Sequence, residues 1–116
     1  MMDKLIEEVS TLVQHEYARA SDKFGHVNHS DHESYAVLLE EFQEAQYEVH
    51  HAEKTLDKFW DLVKRDYFDD SKVVELDTLK KQALFAACEL IQVAAMSEKA
   101  MITIRRRQVN ENLCWD

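Results

Sequence analysis

The chain has 116 residues, 32% of them charged, and a formal net charge of -9 at pH 7. Because binding to nucleic-acid phosphates needs a basic face, this acidic balance argues against a direct nucleic-acid binder; the one dense basic cluster is Arg105, Arg106 and Arg107. No apolar run approaches the roughly 20 residues of a membrane-spanning helix, and acidic residues stand where a signal peptide needs its apolar stretch. We therefore expect a single soluble domain, with no membrane contact, in the cytoplasm.

The composition strongly favours helix. There is no proline and only one glycine, Gly25, so the residues that usually mark turns and sheets are almost absent. Helices this long in a chain this short leave apolar faces uncovered in a monomer. We predict an all-α fold, a helical bundle of long antiparallel helices completed by oligomerisation into a dimer or tetramer. The two cysteines, Cys88 and Cys114, do not make a disulfide framework, which indicates a reducing compartment.

The first helix is predicted from about Asp3 to Ala20, where apolar residues recur at helical spacing. We expect it to supply packing rather than chemistry. The next segment, up to His29, has no periodicity, and residues 1–30 are assigned to this N-terminal helix and loop. A S-x-x-E pattern at Ser30 and Glu33 then predicts a reciprocal helix cap, so the second helix begins near Asp31.

An unbroken apolar stripe with steps of three and four runs from Leu38 to Val63. It makes either one helix to about Arg65 or two in close succession. The sequence D-Y-F-D-D-S at 66–71 is the predicted connection, because its aspartates and serine suit turns and caps. A third helix follows from about Lys72 to Arg107. It is apolar on all sides between residues 83 and 96, so we expect neighbours to surround it at the centre of a bundle. Residues 108–116 are predicted to be a loosely held tail.

Clustered glutamates are the first sign of chemistry. Residues 40–44 read E-E-x-x-E, and with 100° per residue Glu41, Glu44 and Glu48 share one strip of the second helix. Like charges this close repel each other and are costly beside a core unless cations neutralise them. Alone, however, such a pattern more often marks a solvated acidic face.

The third helix supplies a second acidic position. Glu89 and Gln92 lie three residues apart on one face of the apolar stretch, where an uncompensated carboxylate costs several kcal/mol. A structural salt bridge could compensate the charge, with Lys54, Lys58 or Arg65 as the partner. The other explanation is a metal ion shared with the glutamates of the second helix. Oxygen ligands without a thiolate favour Mg²⁺, or Mn²⁺, usually together with a phosphate-bearing substrate. Residues 31–107 are then a metal-binding helical hairpin.

These residues resemble the signature of the MazG-like all-α nucleoside triphosphate pyrophosphohydrolases, which is E-E-x-x-E on one helix and E-x-x-D on a later one. Here the pieces are Glu40, Glu41, Glu44 and then Glu89. The segments H-E-S-Y-A-V-L-L-E-E at 32–41 and E-L-I-Q-V-A-A-M at 89–96 are similar to a branch common in phage and bacterial genomes, which includes enzymes acting on purine deoxynucleotides. The resemblance covers roughly residues 24–101. Its specificity depends on the two motifs occurring together in one chain. One departure is Gln92 in place of the closing aspartate, which keeps an oxygen ligand but removes a negative charge.

The resemblance implies cleavage of a (deoxy)nucleoside triphosphate between its α and β phosphates, giving the monophosphate and pyrophosphate in a bacterial or phage-infected host cytoplasm. Mg²⁺ held by the glutamates would neutralise the phosphates and lower the pKa of a bound water, which Glu40 could orient or deprotonate. The predicted catalytic residues are Glu40, Glu41, Glu44 and Glu89, and the predicted metal ligands are Glu41, Glu44, Glu89 and Gln92. The candidates for substrate binding are His32, Tyr35, Lys54, Lys58, Trp60 and Lys99, of which the lysines would contact phosphates and the aromatic residues would stack on a base.

The alternative is a non-catalytic acidic helical interaction protein, such as a phage-type inhibitor that mimics nucleic acid by its charge. Small size and high acidity permit this reading, but it leaves Glu89 unexplained. A further pattern, H-x-x-H-x-x-H at His26, His29 and His32, has no accompanying cysteine. We expect the first two of these histidines to lie on the surface.

Overall fold

A computed structural model describes residues 2–65 and 69–114, with side chains described as far as residue 110. Three helices follow one another: α1 (Met2–Phe24), α2 (Asp31–Arg65) and α3 (Ser71–Cys114). No strand occurs in these described ranges, so the predicted all-α class is confirmed. Within the same ranges, no helix has the length and apolar character that crossing a membrane requires.

The first helix ends at the single glycine of the chain. Gly25 has a φ of 92°, a left-handed conformation that residues with a Cβ rarely adopt, and its N–H donates to the carbonyl oxygen of Ser21 at 2.8 Å. This pattern is a common way to end a helix, because it satisfies a carbonyl that the last turn leaves open. The helix therefore runs four residues beyond the predicted end at Ala20.

The second helix begins at Asp31, as predicted, but with only half of the predicted cap. The Glu33 N–H donates to Ser30 Oγ at 3.1 Å. The Glu33 carboxylate does not return to Ser30; it accepts from the His29 N–H at 3.2 Å and contacts His29 Nδ1 at 2.9 Å. From this start α2 continues without a break to Arg65, which decides for one helix over two.

The third helix begins at Ser71, whose N–H donates to Asp69 Oδ1 at 3.0 Å. This contact agrees with the predicted role of the aspartates before the helix, although residues 66–68 of that connection lie outside the described part of the chain. The predicted end of the third helix at Arg107 is wrong, because α3 continues seven residues further, to Cys114. Residues 108–110 are exposed, and each of them is tolerated in a helix. No proline or glycine follows Arg107 to stop α3.

The helices contribute to two compact units, whose boundaries fall inside α2 and α3. The first unit comprises Met1–Glu41 and Leu90–Asp116, and the second comprises Phe42–Glu89. In the first unit the loop after α1 is tied to α3, since the Asn28 N–H donates to Thr103 Oγ1 at 2.9 Å. The Asn28 amide also donates to Ser34 Oγ at 2.7 Å, and Arg107 donates to Asp31 Oδ2 at 2.7 Å.

Among the residues whose side chains are described, the buried hydrophobic ones are all alanines: Ala20, Ala45, Ala86 and Ala95. On α3, Phe85 is 62% exposed, Leu84 57% and Leu90 48%. Neighbouring residues of the chain therefore leave this apolar stretch partly exposed, whereas the sequence predicted that they would surround it. Small buried residues allow helices to approach closely, but they leave the large apolar side chains uncovered.

Candidate functional site

Three glutamates of the predicted site lie together. One carboxylate oxygen from each of Glu41, Glu44 and Glu89 lies within 4.8 Å of the others. Glu41 and Glu89 are half-buried, and Glu44 is exposed. We call these three residues the glutamate cluster.

The helices place these side chains for simple reasons. Glu41 and Glu44 are three residues apart on the continuous helix α2, so their side chains lie one turn apart on one face. In the second unit, buried Ala45 follows Glu44, and buried Ala86 precedes Glu89 by one turn. Because alanine permits close approach of helix backbones, these positions let Glu44 and Glu89 reach each other.

The cluster suits a hard divalent cation. It offers only carboxylate oxygens, the ligands that Mg²⁺ and Mn²⁺ prefer, and no thiolate or imidazole. Two oxygens on opposite sides of a Mg²⁺ ion lie about 4.2 Å apart. Neighbouring oxygens on such an ion lie about 3 Å apart, so side-chain rotation would have to bring the three carboxylates closer together than their observed 4.8 Å limit. In its ligand chemistry the cluster fits such an ion.

A cavity of about 520 Å³ lies in the first unit, between residues of all three helices. Four predicted site residues line it, namely Glu40, Glu41, Gln92 and Lys99. Its volume is in the range of small-molecule sites, which is roughly 300–1,000 Å³. Glu41 thus belongs both to the glutamate cluster and to the wall of this cavity.

Lys99 is the most buried charged side chain of the cavity wall. It is only 5% exposed, although it carries an ammonium group that water would otherwise solvate. Burying this group is costly unless anions or hydrogen-bond acceptors compensate it. Lys99 also contributes, as the smallest of the causes, to the lowered pKa of Glu33, which results mainly from hydrogen bonds with His29. The wall therefore carries one buried cation beside the carboxylates of Glu33, Glu40 and Glu41.

Four polar residues of this cavity were not predicted from the sequence as site residues: Glu16, Arg19, Asn28 and Glu33. Glu16 and Arg19 come from α1, which was expected to supply only packing. Arg19 Nε donates to Glu16 Oε2 at 3.1 Å, and this pairing lowers the pKa of Glu16 and raises that of Arg19. Their three-residue spacing in the sequence could have indicated the ion pair, but not the cavity that it faces.

Other predicted substrate residues are not brought to this cavity. His32 and Tyr35 are exposed on the first turns of α2 and do not line it. Lys54, Lys58 and Trp60 are exposed on α2 in the second unit. The Trp60 ring has the ammonium of Lys64 at 5.8 Å from its centroid. The proposed roles of these five residues stay predictions.

Comparison with known proteins adds nothing to this picture. No family model matches the sequence, and neither curated proteins nor solved structures contain a match.

Proposed function

We propose that this chain is a Mg²⁺-dependent nucleoside triphosphate pyrophosphohydrolase of MazG-like type. Its reaction would convert a (deoxy)nucleoside triphosphate, with purine deoxynucleotides as the leading candidates, into the monophosphate and pyrophosphate. The observation that carries the proposal is the glutamate cluster, in which Glu41, Glu44 and Glu89 meet within 4.8 Å from two separate helices. Two sequence motifs 45 residues apart predicted this meeting.

Each predicted catalytic or metal-binding residue has its own part in the proposed reaction. Glu41, Glu44 and Glu89 would hold the Mg²⁺, which would offset the phosphate charges and lower the pKa of a bound water. Glu40 is exposed and lines the cavity, so it is free to orient the attacking water or accept its proton. Gln92 lines the cavity as well, and its amide oxygen would complete the metal shell or receive a hydrogen bond from a metal-bound water.

The cavity supports the same proposal, because it combines carboxylates with a buried cation. Glu40 and Glu41 line it together with Lys99. A triphosphate carries several negative charges, which require both metal ions and cationic side chains for neutralisation. Lys99 would contact phosphate oxygens through its ammonium group.

The test is pyrophosphate and phosphate release from a panel of NTPs and dNTPs with Mg²⁺ or Mn²⁺. Glu41→Gln and Glu89→Gln keep the side-chain shape and remove one negative charge each. Glu53→Gln is the matched control, since Glu53 is an exposed glutamate on the same helix that does not belong to the cluster. We expect pyrophosphate release by the wild type and the control, and a loss of at least about a hundredfold in both cluster variants.

A wild type that releases neither product from any nucleotide would contradict the proposal. If it also bound no Mg²⁺, a non-catalytic acidic interaction protein would be the better interpretation. Release of phosphate without pyrophosphate would place the cleaved bond elsewhere in the triphosphate. We further propose a cytoplasmic location and assembly into a dimer or tetramer.

A further inference from the structure

The first helix forms one wall of the cavity. It contributes Glu16, Arg19, Ala20 and Phe24, and we call these four residues the α1 wall. The last three follow Glu16 at intervals of three, four and eight residues, which places all four on one side of the helix. None of them belongs to the predicted metal-binding or catalytic set, which lies on α2 and α3. Because the phosphates of a nucleotide would lie against those two helices, the α1 wall is left for the base.

Phe24 gives the α1 wall an aromatic surface. Its side chain is 67% exposed, and it is the one aromatic residue among the described residues that line the cavity. Tyr35 and Trp60, which the sequence predicted as stacking residues, do not line it. Ala20 lies one turn before Phe24, and its small side chain leaves space beside the ring. An aromatic ring stacks on any base, so Phe24 can hold a base without choosing between bases.

Glu16 and Arg19 provide the polar part of the α1 wall. Arg19 donates from Nε to Glu16 Oε2 at 3.1 Å and from Nη2 to Glu16 Oε1, so the two groups lie side by side. A guanidinium has five N–H donors and a carboxylate has about four acceptor sites, of which this pairing uses two each. The remaining N–H groups and acceptor sites are available to a ligand in the cavity.

The pairing also keeps both groups charged at neutral pH. The hydrogen bond between them lowers the pKa of Glu16 and raises the pKa of Arg19. A charged carboxylate can only accept hydrogen bonds, and a guanidinium can only donate them. The α1 wall therefore presents acceptors at Glu16 directly beside donors at Arg19.

Guanine and adenine differ at the edge that such a pair contacts. Guanine carries acceptors at N7 and O6, followed by donors at N1 and N2, which complements a guanidinium beside a carboxylate. Adenine instead carries a donor at N6, where guanine has O6, and an acceptor at N1. Against adenine, Arg19 would face a donor and Glu16 an acceptor. A site built for hydrogen bonds strongly rejects a ligand that leaves its polar groups without partners.

We propose that the α1 wall binds the base of the nucleotide and selects guanine over adenine. Arg19 donates to O6 and N7, Glu16 accepts from N1–H and N2–H, and Phe24 stacks on the ring. This assignment rests on the proposed function of the cavity as a nucleotide site, and it adds the base that the site prefers. It does not depend on cleavage of the nucleotide.

The test measures binding of dGMP and dAMP with Mg²⁺ by isothermal titration calorimetry. Monophosphates separate recognition of the base from hydrolysis, because they are the products of the proposed reaction. We expect the wild type to bind dGMP at least about tenfold more tightly than dAMP, as one bidentate contact of this kind provides. Deoxyinosine monophosphate keeps O6 and N1–H but lacks the N2 amino group, so its affinity should lie between the other two.

Arg19→Gln should shift the preference towards adenine, because a glutamine amide pairs with N6 and N7 of adenine. Lys4→Gln is the matched control, since Lys4 is an exposed cation of α1 that does not line the cavity. We expect the ratio of dAMP to dGMP affinity to rise at least about tenfold in Arg19→Gln and to stay unchanged in the control. Circular dichroism checks the helix content of both variants. If Arg19→Gln loses helix, the three nucleotides compared on the wild type still decide the question.

Equal affinities of the wild type for dGMP and dAMP, or no binding of either, would overturn the proposal. A folded Arg19→Gln variant that keeps the preference for guanine would do the same. Pyrophosphate release with equal efficiency from dGTP and dATP would refute the selectivity and leave the proposed hydrolysis standing. Selective binding of dGMP by a chain that releases no pyrophosphate would refute the hydrolysis and support the base site.

Discussion

Replacing Glu89 by glutamine should change stability in opposite directions with and without Mg²⁺. Glutamine has the shape of glutamate and keeps an oxygen, so the variant mainly removes one negative charge from the glutamate cluster. Without a divalent ion, Glu89 lies within 4.8 Å of carboxylate oxygens of both Glu41 and Glu44. Their mutual repulsion then destabilises the folded chain, and the variant relieves it.

The size of this effect follows from the separation. Two unit charges 4.8 Å apart repel by about 0.9 kcal/mol in a fully aqueous environment. Because Glu44 is exposed and the other two side chains are half-buried, the figure for water is the appropriate one, before screening by salt. Glu89 takes part in two such pairs, so removing its charge relieves about 2 kcal/mol of repulsion at low ionic strength. For a chain of this size, that relief raises the melting temperature by roughly 5–10 °C.

Mg²⁺ should reverse the order of the two proteins. At a concentration one hundred times its dissociation constant, a ligand that binds only the folded state adds about 2.7 kcal/mol of stability. The wild type should therefore melt about 10 °C higher with Mg²⁺. The variant has one carboxylate less, and a hundredfold weaker affinity would reduce its gain to about 0.4 kcal/mol. Without Mg²⁺ the variant is then more stable than the wild type. With Mg²⁺ it is no more stable than the wild type.

The assay is thermal unfolding followed by circular dichroism at one protein concentration, with and without Mg²⁺ at constant ionic strength set by NaCl. Constant ionic strength separates ion binding from general screening of a chain with a net charge of -9. Glu53→Gln controls for loss of a glutamate charge elsewhere on α2. The reasoning would be refuted by a Glu89→Gln variant that keeps the full Mg²⁺ shift, or by a wild type whose melting temperature Mg²⁺ does not raise.

Three further predictions follow from the first unit. Gly25→Ala should lower the stability by about 1 kcal/mol through backbone strain alone, because a Cβ at Gly25 meets no atom within 4 Å but its φ is +92°; an unchanged denaturation midpoint would contradict this. Since hydrogen bonds from His29 lower the pKa of Glu33, that pair should stabilise the fold above the unfolded pKa of about 4.3 and lose this effect as the pH falls through the lower folded pKa. The carboxyl NMR titration of Glu33 should have its midpoint below 4.3, and His29→Ala should return it towards that value. Lys99→Met should raise the KM for the nucleotide by about tenfold or more without lowering the melting temperature, whereas Lys80→Met, at an exposed position with no predicted role, should change neither. Equal KM values for Lys99→Met and the wild type would remove Lys99 from phosphate binding.

The sequence alone determined most of the secondary structure of this protein. The absence of proline, the apolar periodicity and the S-x-x-E pattern predicted three helices and the start of α2 at Asp31. These signals are local, because backbone propensity and capping act within a few residues. The end of α3 was missed for a related reason: no residue after Arg107 stops a helix, and a polar composition alone does not.

The sequence also indicated which residues could form the glutamate cluster. Glu41 and Glu44 share a face by helical geometry alone, whereas their approach to Glu89 depends on how α2 and α3 pack. The spacing of motifs cannot give that distance, because it depends on which side chains are small enough for close helix approach. The resemblance to a known signature supplied the expectation that these three residues share a metal ion, and that role stays a prediction.

The tertiary structure alone decided the rest of the site. Arg19 and Asn28 line the cavity from α1 and the following loop, and no periodicity marks either residue as more than surface. Lys99 is buried although its type is mostly exposed, so its burial could not be read from the sequence. Burial and cavity shape arise from contacts between residues distant in the chain. Local propensity determines the helices, but only their packing determines which polar side chains meet.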